Sequence, residues 1–369
     1  MYTGTQKKYF GKIFVNITDS LDIPESKYKE AVSRYEAIGN WLDADDSELH
    51  VYKPTIYAQG SFRLGTVVKP ISDNDEYDID LVCHLKINKD DITQSQLKDM
   101  VGERLKENET YRKLLDDEGR RCWTLDYANE FHMDILPAIP DYEKLNDCIL
   151  ITDKELSFWQ KSNPIGYARW FRGRMHDIFL KRKAALAGLQ KANVDDVPEY
   201  KVKTPLQRSV QILKRHRDIY FSRKDYKPIS IIITTLAGHA YQNEDDLSDA
   251  LFNIINGMTN PNNLKSQDGI YYISNPTNPE ENFADKWNED ESLPKAFLAW
   301  LNQIKADLET LIEQRDLLET KEFLSPIFGI GTIGAAFEKI EPFNVVRKSY
   351  PKVDFSSKPD KPWHTNGNR

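Results

Sequence analysis

Cysteine is scarce in this chain of 369 residues, and long apolar runs are missing. The three cysteines are an odd number without the spacing of a zinc site, which argues against a disulfide framework. No apolar run approaches the roughly 20 residues that a membrane span needs. The first residues, MYTGTQKKYFGKIF, lack the apolar block and cleavage site of a signal peptide. These features predict a cytoplasmic protein that does not enter a membrane.

An overall excess of positive charge is also missing, since the formal net charge is −8. This balance argues against a protein that holds long nucleic acid by its phosphates. The charge is uneven, however, because residues 161–224 contain 16 Lys or Arg and only 5 Asp or Glu. Such a stretch is typical of a solvated helical surface, and it also suits a compact polyanion such as a nucleoside triphosphate.

Two aspartates stand at alternate positions of an otherwise apolar segment, EYDIDLVCHL. Side chains of a β-strand repeat every two residues, so Asp78 and Asp80 are predicted to share one face. Like charges that close disfavour joint ionisation unless a cation offsets them. A Gly-Ser pair, Gly60 and Ser61, lies upstream in AQGSFRLGTVVKP, where we predict a turn. Glycine lets the backbone approach a phosphate, and Gly65-Thr66 can complete the contacts of such a turn.

A third aspartate, Asp134, lies in the strand-like segment FHMDILPAIP, which we expect Pro137 and Pro140 to close. If this strand lies beside the first, three carboxylates converge. Such an oxygen-rich site suits two Mg²⁺ ions, with Mn²⁺ as an alternative. In two-metal chemistry one ion activates an attacking hydroxyl and the other steadies the leaving oxygen. The pattern therefore predicts metal-dependent phosphoryl or nucleotidyl chemistry.

The order of predicted elements suggests two lobes and a tail. A long helix over 22–44 precedes the strands, and a helical lobe begins near Lys154. Its clearest element is PLQRSVQILKRHRDIYF, for which Thr204, Pro205 and Gln207 form an N-terminal capping box. SIIITTLAGHAY is predicted to be a buried helix, and LPKAFLAWLNQIKADLETLIEQRDLL a long amphipathic one. We predict a catalytic lobe over 1–153, a helical lobe over 154–351 and a flexible tail over 352–369.

Together, GSFRLGT, YDIDL and FHMDILP resemble the motifs of the polymerase-β-type nucleotidyltransferases. Within that superfamily the chain is most similar to the bacterial cGAS/DncV-like nucleotidyltransferases (CD-NTases), which make cyclic oligonucleotide signals in antiphage (CBASS) defence. The resemblance covers residues 20–345. It implies an α+β fold, with a mixed sheet, flanking helices and an oligoadenylate-synthetase-like helical second lobe. It also implies these site residues: Asp78, Asp80 and Asp134 as catalytic metal ligands, with Gln59, Gly60, Ser61, Thr66, Lys214 and Ser230 on the donor phosphates.

The same resemblance implies ATP as a substrate, with GTP or another nucleoside triphosphate beside it. Each step would form a phosphodiester and release pyrophosphate, and a second step on the linear intermediate would close a ring. The implied partners are Mg²⁺ and a product-sensing effector protein, with the enzyme itself a monomer. Base identity, ring size and linkage are not determined by these motifs.

Other functions fit some of the same residues. A linear oligoadenylate synthetase, a tRNA-modifying enzyme and a nucleotidylating toxin would share the acidic motif, whereas a non-catalytic nucleotide binder would have little reason to keep three clustered charges. The string GIGTIG at 329–334 lacks a strand-helix context, so we predict a turn before a final packed element. His84 and His132 are predicted to be partly buried structural histidines, and Tyr271 and Tyr272 are more typical of packing than of base stacking.

Overall fold

The computed structural model describes residues 4–72, 76–116, 118–128, 130–144, 147–153, 158–313 and 316–340. A mixed sheet has the order β1-β2-β4-β5-β6, and β3 also pairs with β4. Strands β2 and β4 are parallel, whereas the other pairs of this sheet are antiparallel. The strands are β1 (Thr55–Ala58), β2 (Tyr77–His84), β3 (Trp123–Tyr127), β4 (Phe131–Pro140), β5 (Ile149–Ile151) and β6 (Gln160–Ser162).

Helices flank this sheet and form a second layer of the molecule. The first part of the chain contains α1 (Gly4–Leu21), α2 (Glu25–Leu42), α3 (Gly60–Leu64), α4 (Gln94–Glu107) and α5 (Glu109–Leu114). The second part contains α6 (Pro164–Arg174), α7 (His176–Gln190), α8 (Pro205–Tyr220), α9 (Ser230–Ala240), α10 (Leu247–Gly257), α11 (Ser292–Glu313), α12 (Leu317–Phe328) and α13 (Ile330–Glu338). The α+β class with a mixed sheet and a helical second lobe is therefore confirmed.

Two short strand pairs interrupt the helical part. β7 (Lys265–Gln267) pairs with β8 (Ile270–Tyr272), and β9 (Ser274–Asn275) pairs with β10 (Asn278–Asn282). Within the described ranges, no helix has both the length and the apolar character that crossing a bilayer requires.

One face of the sheet is apolar, and the other is polar where β2 and β4 begin and apolar farther along, where Val82, Leu136 and Ala138 form a small buried cluster. Ile79, Leu81, Met133 and Ile135 are fully or almost fully buried in one core with side chains of α2 and α4. The aspartates of β2 and β4 project from the other face, which is turned toward the helical layer. Burial of alternate apolar side chains thus fixes which side of the sheet carries the carboxylates.

The predicted helices of the second lobe are confirmed in detail. Thr204 caps α8, with the Gln207 amide donating to its hydroxyl at 3.3 Å, and Gln207 accepts the Thr204 amide at 2.9 Å. Helix α9 is buried along most of its length. The apolar stripe of α11 is also buried, and its members are Phe297, Trp300, Leu301, Ile304, Leu308 and Leu311.

Helix α1 is an element that the sequence analysis did not predict. Its apolar side chains, among them Phe10, Phe14 and Leu21, belong to the core of the helical layer, where α1 packs on α8, α10 and α13. The first turns of the chain thus pack with the last described helix, a pairing that no local pattern could indicate. The predicted lobe boundary at residue 153 stays a prediction, and the predicted tail over 352–369 lies outside the described residues.

Two local predictions were wrong. Gly60 and Ser61 begin the short helix α3 rather than a simple turn, and β4 continues through Pro137, although it ends at Pro140 as predicted. Pro137 is tolerated because it lies between the part of β4 that pairs with β3 and the part that pairs with β5. Strand β3 pairs with residues 131–135 of β4 and β5 pairs with 138–140, so the side of β4 to which residue 137 would donate has no partner strand there.

Candidate active site

Two carboxylates face each other across the parallel pair of strands. Asp80 on β2 is the register partner of Asp134 on β4, and Asp134 is in turn the register partner of Thr124 on β3. The Thr124 hydroxyl donates to Oδ1 of Asp134 at 2.5 Å. These three residues form one row across the sheet, and the threonine fixes the orientation of one of its carboxylates.

The carboxylates of this row are hard to ionise together. Burial, followed by the negative charges of Asp134 and Asp78, raises the pKa of Asp80 to about 6. The pKa of Asp78 is raised by the same two causes, burial first and Asp134 second, although Asp78 lies at the exposed end of the pair. A cation placed among these oxygens would relieve the repulsion.

Gly60 lies directly against Asp80. The Gln59 amide donates to the Asp80 carbonyl at 2.8 Å, which carries the chain from β1 past β2 into α3. Gly60 has φ +57°, and a Cβ added there would lie 2.2 Å from Oδ2 of Asp80. Only glycine fits this position, both for its backbone conformation and for its contact with the carboxylate. Ser61 follows in the first turn of α3.

Lys214 comes from the helical layer and ends close to the same site. Its side chain is 7% exposed, and its ammonium group donates to the Thr66 carbonyl at 3.1 Å. Burial and the nearby Arg217 lower the pKa of Lys214 to about 8, whereas Asp80 and Asp78 act in the opposite direction. This lysine is therefore within electrostatic reach of the aspartates while belonging to the other lobe.

The remaining predicted phosphate residues lie near Lys214 rather than beside the aspartates. Thr66 is 1% exposed, and its amide donates to the Ser61 carbonyl at 3.0 Å, so it links α3 to Lys214. Ser230 is the first residue of α9, and its hydroxyl accepts from Arg217 at 2.8 Å. Helix N-termini attract anions, so the start of α9 is suited to a phosphate. The role of each residue toward a nucleotide stays a prediction.

A cleft of about 730 Å³ separates the sheet from the helical layer. Gly60, Asp80 and Asp134 line its sheet side, and Lys227 and Ile232 line its helical side. This volume lies within the range of small-molecule sites, about 300–1,000 Å³. The Asp80 and Asp134 carboxylates, the Gly60 backbone and the Lys227 side chain thus converge on one space large enough for a nucleotide.

Sequence reasoning did not find two arginines on the cleft wall, Arg120 and Arg121. Both are anchored by Asp153, which is fully buried, with Nε of each arginine 2.7 and 2.8 Å from a carboxylate oxygen. Their adjacency in the segment GRRCW was the only available signal. Their position depends on the approach of the chain after β5 to the start of β3, which is a long-range contact.

A second polar group lies on the same face of the sheet. Among the described residues, Glu76, Asp126 and His132 form the one group of three possible metal ligands whose ligating atoms all lie within 4.8 Å of one another. His132 Nε2 is 2.5 Å from a Glu76 oxygen. Asp78, Asp80 and Asp134 do not form a group that close. A pair of ions needs a wider set of oxygens than a single ion, so the aspartates remain compatible with two.

The sheet with its aspartates, the glycine at Asp80 and the opposing helical lobe place the chain in the class of polymerase-β-type nucleotidyltransferases. A family model described as the Second Messenger Oligonucleotide or Dinucleotide Synthetase (SMODS) domain matches residues 8–174. A c-di-GMP synthase of Roseivirga ehrenbergii is 30% identical over 330 residues, which cover 89% of this chain and 86% of that protein. The chain belongs to this family of bacterial cGAS/DncV-like nucleotidyltransferases, which confirms the predicted relationship.

Other relatives support the same family and fold. The cyclic dinucleotide synthase CdnG of Bradyrhizobium diazoefficiens is 24% identical over 322 residues, covering 80% of this chain and 74% of that protein. The structure of that CD-NTase in complex with GTP has a TM-score of 0.73 at 22% identity, over 89% of this chain and 98% of that chain. The Vibrio cholerae DncV cyclic AMP-GMP synthase superposes with a TM-score of 0.54 at 16% identity, over 90% and 92% of the two chains.

Proposed function

We propose that this chain joins nucleoside triphosphates into a cyclic dinucleotide second messenger and releases pyrophosphate. The observation that carries the proposal is the register of β2 and β4, which sets Asp80 opposite Asp134 with Gly60 against Asp80. Two relatives, a c-di-GMP synthase and a CD-NTase whose structure is in complex with GTP, support triphosphates as substrates. Antiphage signalling through an effector protein is the biological setting that the family resemblance implies.

Asp78, Asp80 and Asp134 would hold the metal ions, for which Mg²⁺ and Mn²⁺ are the candidates. The fit rests on the donor set, since carboxylate oxygens are the ligands that these hard cations prefer. It rests also on the raised pKa of Asp80, because neighbouring carboxylates that repel one another gain from a shared cation. When bound, the ions would supply positive charge to the attacking hydroxyl and to the leaving oxygen.

The two lobes would hold the donor triphosphate between them. The backbone at Gly60 and Ser61 can approach the phosphates closely because no side chain intervenes at Gly60. Lys214 and the start of α9 at Ser230 would add positive charge from the helical side. A triphosphate would favour the charged form of Lys214, whose pKa burial has lowered, so binding and protonation of this lysine are coupled.

The chemistry of each step follows from these positions. The ribose hydroxyl of one nucleotide attacks the α-phosphorus of the other, a new phosphorus–oxygen bond forms, and the bond to pyrophosphate breaks. Asp134, whose orientation Thr124 fixes, is the carboxylate suited to take the hydroxyl proton. A second step joins the free hydroxyl of the linear intermediate to its own triphosphate end and closes the ring.

Incubation of the purified chain with the four labelled triphosphates and Mg²⁺ or Mn²⁺ tests this proposal. A phosphatase-resistant product with the mass of a cyclic dinucleotide is the expected result. A phosphatase-sensitive ladder would show a linear synthetase instead, and no product would favour a binding protein. The double variant Asp78→Asn/Asp80→Asn serves as the matched negative, and synthesis at the wild-type rate in that variant would refute the site.

A further inference from the structure

One wall of the cleft is built by residues that the proposed chemistry does not use. Beyond Asp80 and Asp134, the cleft is lined by Glu281, which belongs to β10, and by Phe283 and Trp287 just after it. A partly buried carboxylate that lines the cleft together with two aromatic side chains is a group whose purpose needs an explanation.

Glu281 is held in place by two hydrogen bonds. The Asn275 side-chain amide donates to Oε2 at 2.8 Å, and the Ser162 hydroxyl donates to Oε1 at 3.4 Å. Asn275 is itself fixed, because its own oxygen accepts from the Thr277 amide at 2.9 Å. A carboxylate offers about four acceptor positions, so two bonds leave one position on each oxygen. The group is therefore oriented and still able to accept two parallel hydrogen bonds.

The surroundings of Glu281 make such bonds worth more than they would be in water. Burial raises its pKa, while hydrogen bonds from Asn275 and Ser162 and the charge of Arg121 act in the opposite direction. A carboxylate in this environment has already lost part of its hydration. Hydrogen bonds from a ligand therefore cost little further desolvation. Phe283, which meets Tyr167 edge to face with 5.9 Å between ring centroids, adds a flat apolar surface nearby.

We propose that Glu281 is a specificity-determining residue that selects a guanine base in this cleft. The inference rests on the proposed function and names the substrate of the same site. Guanine presents two neighbouring donors, N1–H and the 2-amino group, which match the two oxygens of one carboxylate. Adenine and cytosine place a ring-nitrogen acceptor beside their amino group, and uracil flanks its one donor with two carbonyls. Each of these edges would set a lone pair against Glu281.

Inosine triphosphate separates this contact from general purine binding, since it keeps N1–H and lacks only the 2-amino group. A site built to hydrogen-bond a substrate group rejects the analogue that lacks it, because the buried acceptor is left unpaired. We expect the wild-type chain to bind GTP roughly tenfold more tightly than ITP, and more tightly still than ATP.

Glu281→Gln is the variant that tests the assignment. Glutamine has nearly the same shape, and its oxygen and amino group can keep bonds to Asn275 and Ser162. It can no longer accept two parallel bonds. GTP affinity should fall roughly tenfold to a hundredfold, and the GTP-to-ITP ratio should fall to within about twofold. The matched control is Glu280→Gln, since Glu280 is exposed, pairs with Lys144 and Lys161, and does not line the cleft.

The measurement is equilibrium binding of GTP, ITP and ATP by calorimetry with Ca²⁺ as the ion, followed by initial rates with Mg²⁺. Equal binding of GTP and ITP by the wild-type chain, or an unchanged ratio in Glu281→Gln, overturns the assignment. A preference for GTP that Glu281→Gln abolishes and Glu280→Gln preserves supports it. Wild-type turnover of triphosphates without guanine preference contradicts this inference alone, whereas selective binding without turnover contradicts the proposed function alone.

Discussion

Two rows of side chains cross the same face of the sheet, and they differ in the side chains that lie beside each aspartate of β2. In one row the carboxylates repel each other, and burial with that repulsion raises the pKa of Asp80 to about 6. In the other row burial and then Asp134 also raise the pKa of Asp78, but the row includes a histidine, His132, which acts in the opposite direction. The rows, paired residue by residue across β2, β4 and β3, are Asp80, Asp134, Thr124 and Asp78, His132, Asp126.

This difference indicates which row depends more on a bound metal ion. The row with Asp80 lies directly against Gly60, and a cation bound there would relieve the repulsion between Asp80 and Asp134. The row with His132 has a neutral or cationic side chain between its acids, and Nε2 of this histidine is 2.5 Å from a Glu76 oxygen. Site chemistry should therefore be sensitive to loss of the carboxylates Asp78, Asp80 and Asp134, and tolerant of changes at His132 and Asp126.

The largest effect is expected from Asp80→Asn. Removing this charge weakens the cation site at the reacting groups, and metal stabilisation of a transition state is worth several kcal/mol, so the rate should fall by about 10³-fold or more. The measurement is pyrophosphate release at saturating Mg²⁺. Asp99→Asn, an exposed acid on α4, is the control for loss of one negative charge. A rate within tenfold of wild type would remove Asp80 from the site.

Gly60→Ala tests the contact between α3 and the first row. The added Cβ would lie 2.2 Å from Oδ2 of Asp80 at a φ of +57°, so the helix or the carboxylate must move. A displacement of about 1 Å can cost roughly a hundredfold in rate, and we expect a loss of that order in kcat/KM. Gly173→Ala is the control, because Gly173 is helical and has open space where its Cβ would be. Wild-type kcat/KM in Gly60→Ala would show that the close approach is irrelevant.

The substitution Asp80→Asn should raise the stability of the metal-free chain, although it lowers the rate. The folded chain binds a proton at Asp80 more tightly than the unfolded chain, whose aspartates titrate near pH 4, so stability falls as the pH rises through about 6. In EDTA at pH 7, Asp80→Asn should be more stable than wild type by as much as about 3 kcal/mol, and at pH 4 the gain should vanish.

Urea unfolding of the two chains across this pH range measures the difference. Saturating Mg²⁺ should stabilise wild type more than the variant, since a ligand that binds only the folded state shifts the equilibrium toward it. Asp78→Asn, at the exposed end of the strand, should gain less. A destabilised Asp80→Asn chain in EDTA at pH 7 would show that neither burial nor the neighbouring carboxylates disfavour the charged form of Asp80.

The sequence could predict the acids but not everything that surrounds them. The period of two along YDIDL and FHMDILP is a local pattern, and it suffices to put Asp78 and Asp80 on one face and Asp134 on the exposed side of its strand. The capping box at Thr204 is also local, and it located the start of α8 within one residue. Contacts between elements that are far apart in the sequence could not be predicted from such local patterns.

Three residues show what the local patterns could not predict. The reason for glycine at position 60 is an oxygen of Asp80, which lies on another strand. Arg121 reaches the cleft because Asp153, beyond β5, anchors it. Glu281 faces the cleft only because β10 packs near β6. Each depends on which elements become neighbours, and local propensity carries little information about that choice.

The smallest effect is expected from His132→Asn in the second row. His132 is an in-register neighbour of Asp78, and its pair with Glu76 is partly exposed, so its loss should cost no more than about 1 kcal/mol, or roughly fivefold in rate. Pyrophosphate release and urea unfolding, measured beside Glu76→Gln, check both quantities. A loss approaching that of Asp80→Asn, restored by added Mn²⁺ or Zn²⁺, would mean that Glu76, Asp126 and His132 hold a metal that the reaction needs. These three side chains would then belong to the catalytic site together with the aspartates, and the presence of the histidine would no longer distinguish a structural row from a catalytic one.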